Sequence, residues 1–356
     1  MRHAKKLIGL VLSLAFLWLA LRKVDWAQIP TLARQVKLIF LPLIALSITF
    51  EHLWRAWRWK VLLRAREVPF YNLYAGIVLG YLFNNLLPAR AGEFVRSMYL
   101  GRKKLARTSE VFGTVVLERF IDGVVIIGIL ACLPLWFTFS PLLRGAIFSA
   151  VAFYAVVFVV ILLLQFKRAW VDVPLNFLLK PFSETFRARV ISMEDSFISG
   201  FSLIRNPWHF LGAMGISGIA WLTSLFTIWV HFQMWSLPLD FTAVLLLVAV
   251  LSIGSMIPSS PGMIGIFQYC CVLVLADMLG VSREMAAVFG LATHLVSYLY
   301  VLIVGVAVML FEKVSFRELS HSAEVAEAAE ETAETVEEVQ AGACAQAFEE
   351  PPSSPT

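Results

Sequence analysis

The sequence predicts an all-α polytopic membrane protein, with about six full spans and two re-entrant hairpins arranged as an inverted repeat. Three observations predict it. Of the 356 residues 59% are hydrophobic and only 15% charged, against about 25% charged in a soluble domain. The apolar runs occupy most of the chain and leave no room for a large soluble domain. Two of those runs are interrupted by Pro and Gly at matching places in the two halves, with Pro88 and Pro258 standing 170 positions apart. Backbone exposed to lipid must keep its hydrogen bonds, so each interruption must be buried in protein or line a wet cavity. A pair of interrupted segments in corresponding positions points to a transporter binding site.

Taken in order, Arg2, Lys5 and Lys6 precede an apolar run at 7–21, and Arg22 and Lys23 follow it. The run is like a signal peptide but lacks a small-x-small cleavage site, so a retained signal-anchor helix is expected. The next helix, at 38–57, ends in a crowd of Glu51, His52, Trp54, Arg55, Trp57, Arg58 and Trp59, followed by Lys60, Arg64 and Arg66. Trp and Arg at this density read as an interface belt. Glu51 and Arg55 are four apart and can pair on one helix face.

A hairpin follows. Segment 70–83 enters the membrane and breaks at Asn84, and 92–100 returns towards Arg102, Lys103, Lys104 and Arg107. The span at 111–137 carries Glu118, Arg119 and Asp122. Each ionised group costs at least about 2.5 kcal/mol near mid-depth, so such groups face a partner or a cavity. The cost falls where long side chains snorkel from a helix end. A plain span at 142–166 leads to a polar connection, 167–206, whose apolar residues recur at helical spacing, as in an amphipathic helix on the cytoplasmic surface. The second half repeats the plan: a span at 208–232, an entering segment at 241–256, a break at 258–262, a return at 263–276 and a last span at 285–311. His294, inside that last span, reads equally as a packing residue or a functional one. The segment 318–356 holds ten Glu and no Lys or Arg, the composition of a disordered acidic tail whose protein partner, if it has one, is unknown.

The Lys and Arg residues place both termini in the cytoplasm; Arg22, Lys23, Arg34 and Lys37 are the misfit. In that orientation 38–137 and 208–311 have the same element order and opposite directions, within a transporter-like domain of residues 1–317. The chemistry then gathers at the breaks. Asn84, Asn85, Arg90 and Glu93 come from one hairpin, and Ser259, Ser260 and Gln268 from the other. Guanidinium pairs bidentately with phosphate, which suits Arg90 and Arg96 to an anionic headgroup. Glu93, Glu118 and Asp122, with Arg119 beside them, balance those cations in an empty site or carry a proton. Gly92, Gly262 and Gly265 allow close approach at the breaks, and Pro88, Pro258 and Pro261 interrupt the helices. The alternative is a closed ion network of Arg90, Glu93, Glu118 and Arg119 that only pins the hairpin.

The four cysteines have neither metal-ligand spacing nor a disulfide framework. The sequence carries no His/Asp metal cluster, no nucleophile–base spacing and no phosphate-binding glycine loop, so neither an enzyme, a cofactor nor a metal is expected. The cations suit membrane lipids with anionic headgroups rather than nucleic acid.

Four motifs now stand in register: Arg55-Ala56-Trp57-Arg58-Trp59; Asn84-Asn85-Leu86-Leu87-Pro88-Ala89-Arg90-Ala91-Gly92-Glu93 with Arg96; Glu118-Arg119 with Asp122; and Pro258-Ser259-Ser260-Pro261-Gly262-Met263-Ile264-Gly265-Ile266-Phe267. Together they resemble the lysylphosphatidylglycerol synthase transmembrane-region family, also called flippase-like, over roughly residues 5–312. In bifunctional members this region precedes an aminoacyl-transferase domain and moves the aminoacylated phospholipid to the outer leaflet. The resemblance implies a stand-alone member, without synthase activity, that translocates a phospholipid or lipid-linked anionic precursor across a bacterial-type inner membrane. The family usually has an acidic residue after the last motif's Phe, where this chain has Gln268. A carrier of a small soluble anion, with a closed cavity, is the main rival reading; a scaffold or regulator docking through its tail is another.

Overall fold

A computed structural model of the chain describes residues 2–63, 68–87, 91–106, 108–138, 206–255, 257 and 260–316, with isolated positions between 145 and 163. Pro88, Arg90, Pro258, Ser259, the amphipathic segment at 167–206 before Asn206, most of the span at 142–166 and the acidic tail lie outside the described residues. The described residues are helical, with no β-strand among them.

The first helix, α1 (Arg2–Leu21), is followed by a short α2 (Ile29–Ala33). A first unit then comprises α3 (Leu41–Leu62), α4 (Phe70–Leu86), α5 (Gly92–Arg102) and α6 (Thr108–Cys132). A second comprises α7 (Pro207–Met234), α8 (Phe241–Gly254), α9 (Ile266–Val272, continued by a π-helical turn, Leu273–Met278) and α10 (Arg283–Glu312). Local chemistry sets these boundaries. Pro42 and Pro207 open α3 and α7, where a missing N–H costs nothing. Asn206, Asp240 and Ser282 cap α7, α8 and α10 by accepting from backbone N–H groups. Hydrogen bonds from the Thr242 hydroxyl and the Ala243 N–H hold the exposed Asp240 carboxyl below its ordinary range. Lys313, at φ 54, ends α10 in the left-handed conformation.

Each unit has the same order: a long helix, two half-length helices around a break, and a second long helix. The opening helices α3 and α7 run antiparallel along each other. Lys37 N–H donates to Met234 O, Thr227 to Ser47 at 2.9 Å and Arg58 to Ser217 at 3.0 Å. Exchanging the units maps one packing on the other. As α4 packs on α3, α5 and α10, so α8 packs on α7, α9 and α6; and α5 packs on α6 as α9 packs on α10.

The hairpins divide α10 between them. Gly262 and His294 are in contact, Gly290 lies against Gln268 and Cys271, and Arg283 pairs with Asp277, so α9 covers the first half. Asn85 meets Tyr298, Leu82 meets Gly305, and Tyr99 of α5 and Lys103, just past its end, bond Glu312, so the α4–α5 hairpin covers the second half. Both breaks therefore arrive beside Tyr298, the middle of a helix of 30 residues whose length is ~45 Å. By length and composition Leu38–Leu62, Pro207–Met234, Pro261–Met278 and Arg283–Glu312 are able to cross a membrane. Large apolar residues such as Leu222, Ile303 and Leu310 face outward, as lipid contact requires.

Glycines let the first hairpin close. A Cβ on Gly92 would lie 1.9 Å from the Gly80 carbonyl oxygen and 2.7 Å from Asn84 Oδ1. Gly92→Ala is therefore expected to force the hairpin apart and destabilise the protein by about 1–3 kcal/mol. Thermal unfolding in detergent checks it against Gly128→Ala, which meets nothing within 4 Å and leaves the midpoint unchanged or raised.

Candidate functional site

Each break is closed by a side-chain amide. At the first, Asn84 Oδ1 accepts from Gly92 N–H at 2.9 Å, so the last turn of α4 caps the start of α5. At the second, Gln268 Oε1 accepts from Gly265 N–H at 2.7 Å, and Gln268 Nε2 lies 2.8 Å from His294 Nδ1. The backbone donor identifies the amide oxygen, so Nε2 is the donor to the ring. His294 then carries its proton on Nε2 and donates to Gly262 O at 2.8 Å. Phe267 stacks on the same ring at 4.7 Å. Gly262 and Gly265 take φ 69 and 89, values that admit glycine without strain. His294 is thus hydrogen-bonded at both ring nitrogens inside the second break.

Between the break residues, α1 and Tyr298 lies a cavity of about 290 Å³. Asn85, Ser260, Tyr298 and Ser13 supply its polar groups. Leu10, Leu14 and Leu17 of α1, with Leu86, Pro261 and Ile264, supply its apolar walls. Tyr298 donates to the Asn85 carbonyl at 3.2 Å and so bridges one break to the middle of α10. Leu10 and Leu14 are at least half exposed, which puts one wall of the cavity on the outer surface. Among the described residues no charged side chain lines it.

The charges gather elsewhere, behind the first hairpin. Arg58 is fully buried and bridges both α6 carboxylates, Glu118 at 2.7 Å and Asp122 at 2.5 Å, while also donating to Ser217. Glu118 takes Arg96 at 3.0 Å and Arg119 at 2.8 Å. Asp122 takes Arg55 at 3.6 Å and accepts from the Trp221 indole at 3.0 Å. Outer carboxylates complete the set, Glu51 on Arg55 at 2.9 Å and Glu93 on Arg119 at 3.5 Å. Four guanidiniums meet four carboxylates, so the network is formally neutral. It joins α3, α5, α6 and α7. Arg96 lies over the Trp59 ring at 5.1 Å, and among the described residues its Nε and Nη2 have no hydrogen-bond partner.

The residues expected at one site therefore fall into two groups. Asn85 and Ser260 line the cavity, with Pro261 in its wall and Asn84, Gly92, Gly262 and Gly265 shaping the breaks. Glu93, Arg96, Glu118, Arg119 and Asp122 belong to the ion network and line no part of the cavity. Gln268 does not line it either: it is buried and both its polar atoms serve the second break. The interface-belt reading of the end of α3 is corrected for Arg55, Arg58 and Trp59, which are buried; Trp57 alone in that motif is well exposed. Glu118 and Asp122, expected to face a partner or a cavity, are buried among guanidiniums. Sequence reasoning missed Arg58 as the centre of the network. Its spacing of three from Arg55 placed both on one helix face, but nothing in the spacing says which face is buried. Ser13, Ser217, Trp221 and Tyr298 carried no signal at all.

A buried charge left without its partner is costly. Arg58→Ala removes the guanidinium that bridges Glu118 and Asp122, leaves the buried network one positive charge short and is expected to cost about 3–5 kcal/mol. Arg58→Lys should recover only part, because an ammonium does not span two carboxylates as the planar fork does. Gln268→Ala unpairs the Gly265 N–H and His294 Nδ1, an expected loss of about 1–3 kcal/mol. Thermal midpoints in one detergent rank all three against the native chain.

Comparison with known proteins agrees with this architecture. A family model described as the lysylphosphatidylglycerol synthase TM region matches residues 6–305. A membrane protein of Methanocaldococcus jannaschii, named UPF0104 membrane protein MJ1595, is 21% identical over 326 residues, covering 87% of this chain and 95% of its own length. No solved structure matches the chain. With all four motifs, from Arg55 to Phe267, inside that match, this chain belongs to the lysylphosphatidylglycerol synthase transmembrane-region family of multi-pass membrane proteins.

Proposed function

We propose that the chain translocates an anionic phospholipid, or an anionic lipid-linked precursor, between the leaflets of a bacterial-type inner membrane. The observation that carries this reading is the convergence of both helix breaks on the middle of α10, beside a cavity whose α1 wall lies on the outer surface. A headgroup crossing hydrocarbon needs polar partners at mid-depth, while its acyl chains need never leave lipid. A laterally reached cavity with neutral polar groups at its base and leucines at its rim meets both needs. A carrier of a soluble anion would instead enclose its site.

The antiparallel packing of α3 and α7, and the exchange of contacts between the units, support an inverted repeat with two re-entrant hairpins. In such repeats the site lies where the broken helices meet, and half-helix N-termini point at anionic groups. Here α5 and α9 begin at the breaks. Arg90 belongs to the first break by its place in the sequence, two residues before Gly92, and is assigned to the headgroup phosphate. Among the described residues Arg96 Nε and Nη2 have no hydrogen-bond partner, and we assign them to the same anion as it passes beyond the cavity towards the ion network. Glu93, Glu118 and Asp122 then neutralise the guanidiniums while the site is empty. The protein performs no chemistry on the lipid, and the acidic tail is dispensable for movement.

Purified protein in liposomes with leaflet-labelled lipids tests this. Expected are native-dependent movement of an anionic lipid class, loss in Arg90→Ala and Glu93→Gln variants that remain folded, lipid masses unchanged by mass spectrometry, and full activity without residues 318–356. Uptake of inorganic phosphate with no lipid movement would transfer the reading to a solute carrier. Movement that needs the tail would transfer it to a regulator.

A further inference from the structure

Among the described residues, α1 alone covers the cavity at the breaks from its outer side. Its middle supplies Leu10, Leu14 and Leu17 to the wall and Ser13 to the polar base. Contacts with the second break hold that middle in place. Ser260 N–H donates to Ser13 Oγ at 2.8 Å, across 247 positions of sequence. Gly265 lets α1 lie directly on the second break: a Cβ there would be 2.1 Å from the Ser13 carbonyl oxygen and 3.2 Å from Leu17 N. Phe16 packs on Tyr269 with ring centroids 5.1 Å apart. The far end is anchored differently. Ala20 and Val24 are buried in the apolar core built by α7, α8, α9 and α10, while Leu10, Val11, Leu14 and Trp18 face outward.

The two ends of this attachment differ in how readily they give way. One neutral hydrogen bond is a weak tether. Inside a bilayer, apolar side chains leaving a helix interface enter lipid tails that are as apolar as themselves, so no hydrophobic force opposes the separation. Core burial at Ala20 and Val24, next to a turn, makes that end a pivot.

We propose that α1 is the lipid-side gate of the cavity. Its middle swings away from Ser260 and Gly265 about the buried end at Ala20 and Val24, admitting lipid from the membrane to Asn85, Leu86 and Tyr298. The gate rests on the lipid reading given above, and the experiment separates the two. In full-length chain with Cys132, Cys270, Cys271 and Cys344 replaced by alanine, Ser13→Cys and Ser260→Cys form a disulfide that holds the gate shut, with closure verified by mass. Leu14→Cys with Ile264→Cys is a second pair across the same wall. Proteoliposomes containing phosphatidylglycerol with a diazirine on its acyl chain are irradiated in the oxidised and reduced states, and labelled residues are mapped by mass spectrometry. Leaflet exchange is read on the same preparations.

The expected result is labelling of Asn85, Leu86 and Tyr298 in the reduced protein, its loss in the oxidised protein, and its return with reductant, while outward Val11 and Trp18 are labelled in both. Equal labelling of the cavity in both states overturns the gate and leaves the lipid site standing. Absence of cavity labelling in either state overturns the gate because no lipid enters. Redox-sensitive labelling without leaflet exchange in any state keeps the gate and removes the translocation reading. Exchange that survives the disulfide keeps translocation and removes the gate.

Discussion

A helix that stops inside a protein leaves N–H and C=O groups that need partners, and the rest of this structure answers that constraint twice. At the first break the answer comes from Asn84, which turns the end of α4 into a cap for α5. At the second it comes from Gln268, held in turn by His294 on α10. Both solutions need a neighbour that reaches the middle of the protein, and α10 is that neighbour. It receives the second hairpin along its first half and the first hairpin along its second. The meeting of the breaks follows from this shared support.

The ion network solves a separate problem. The α5 arm is short and only partly apolar, and it turns Glu93 and Arg96 towards α6. In hydrocarbon such groups must be paired. Glu118, Arg119 and Asp122 on α6 pair them, and Arg55 and Arg58 on α3 complete the balance. A buried network of this kind is weak evidence for stability compared with an apolar core. What it provides is registry: four forked guanidiniums shared among four carboxylates favour one arrangement of α3, α5, α6 and α7. Its neutrality also frees the cavity of fixed charge among the described residues.

Much of this was legible in the sequence because hydrocarbon imposes strict rules on it. Element order, the positions of the breaks and the glycines that shape them follow from apolar run length and from Pro and Gly, and the helix bounds at α4, α5, α7 and α10 differ from the expectation by only a few residues. Pairing of Glu51 with Arg55 was readable because helical spacing alone decides it. The role of Gln268 was not, since an amide that faces a cavity and one that caps a helix look alike in sequence. Arg58 was misplaced for a similar reason: arginine and tryptophan near a helix end mark a membrane interface in most chains, and only the packing of α6 and α7 over that end turns it into a protein interior.

The sequence by itself determined that the chain is an all-α membrane protein, that two of its segments are broken, and that charged groups inside the apolar runs must find partners. These follow from transfer energies and backbone hydrogen bonding, which act on each segment wherever it lies. Only the tertiary structure decided which partners those were. It separated the ion network from the cavity, brought both breaks to the middle of α10, and laid α1 across them. Such outcomes depend on which helix faces meet, and a face that meets protein and one that meets lipid are equally apolar in the sequence.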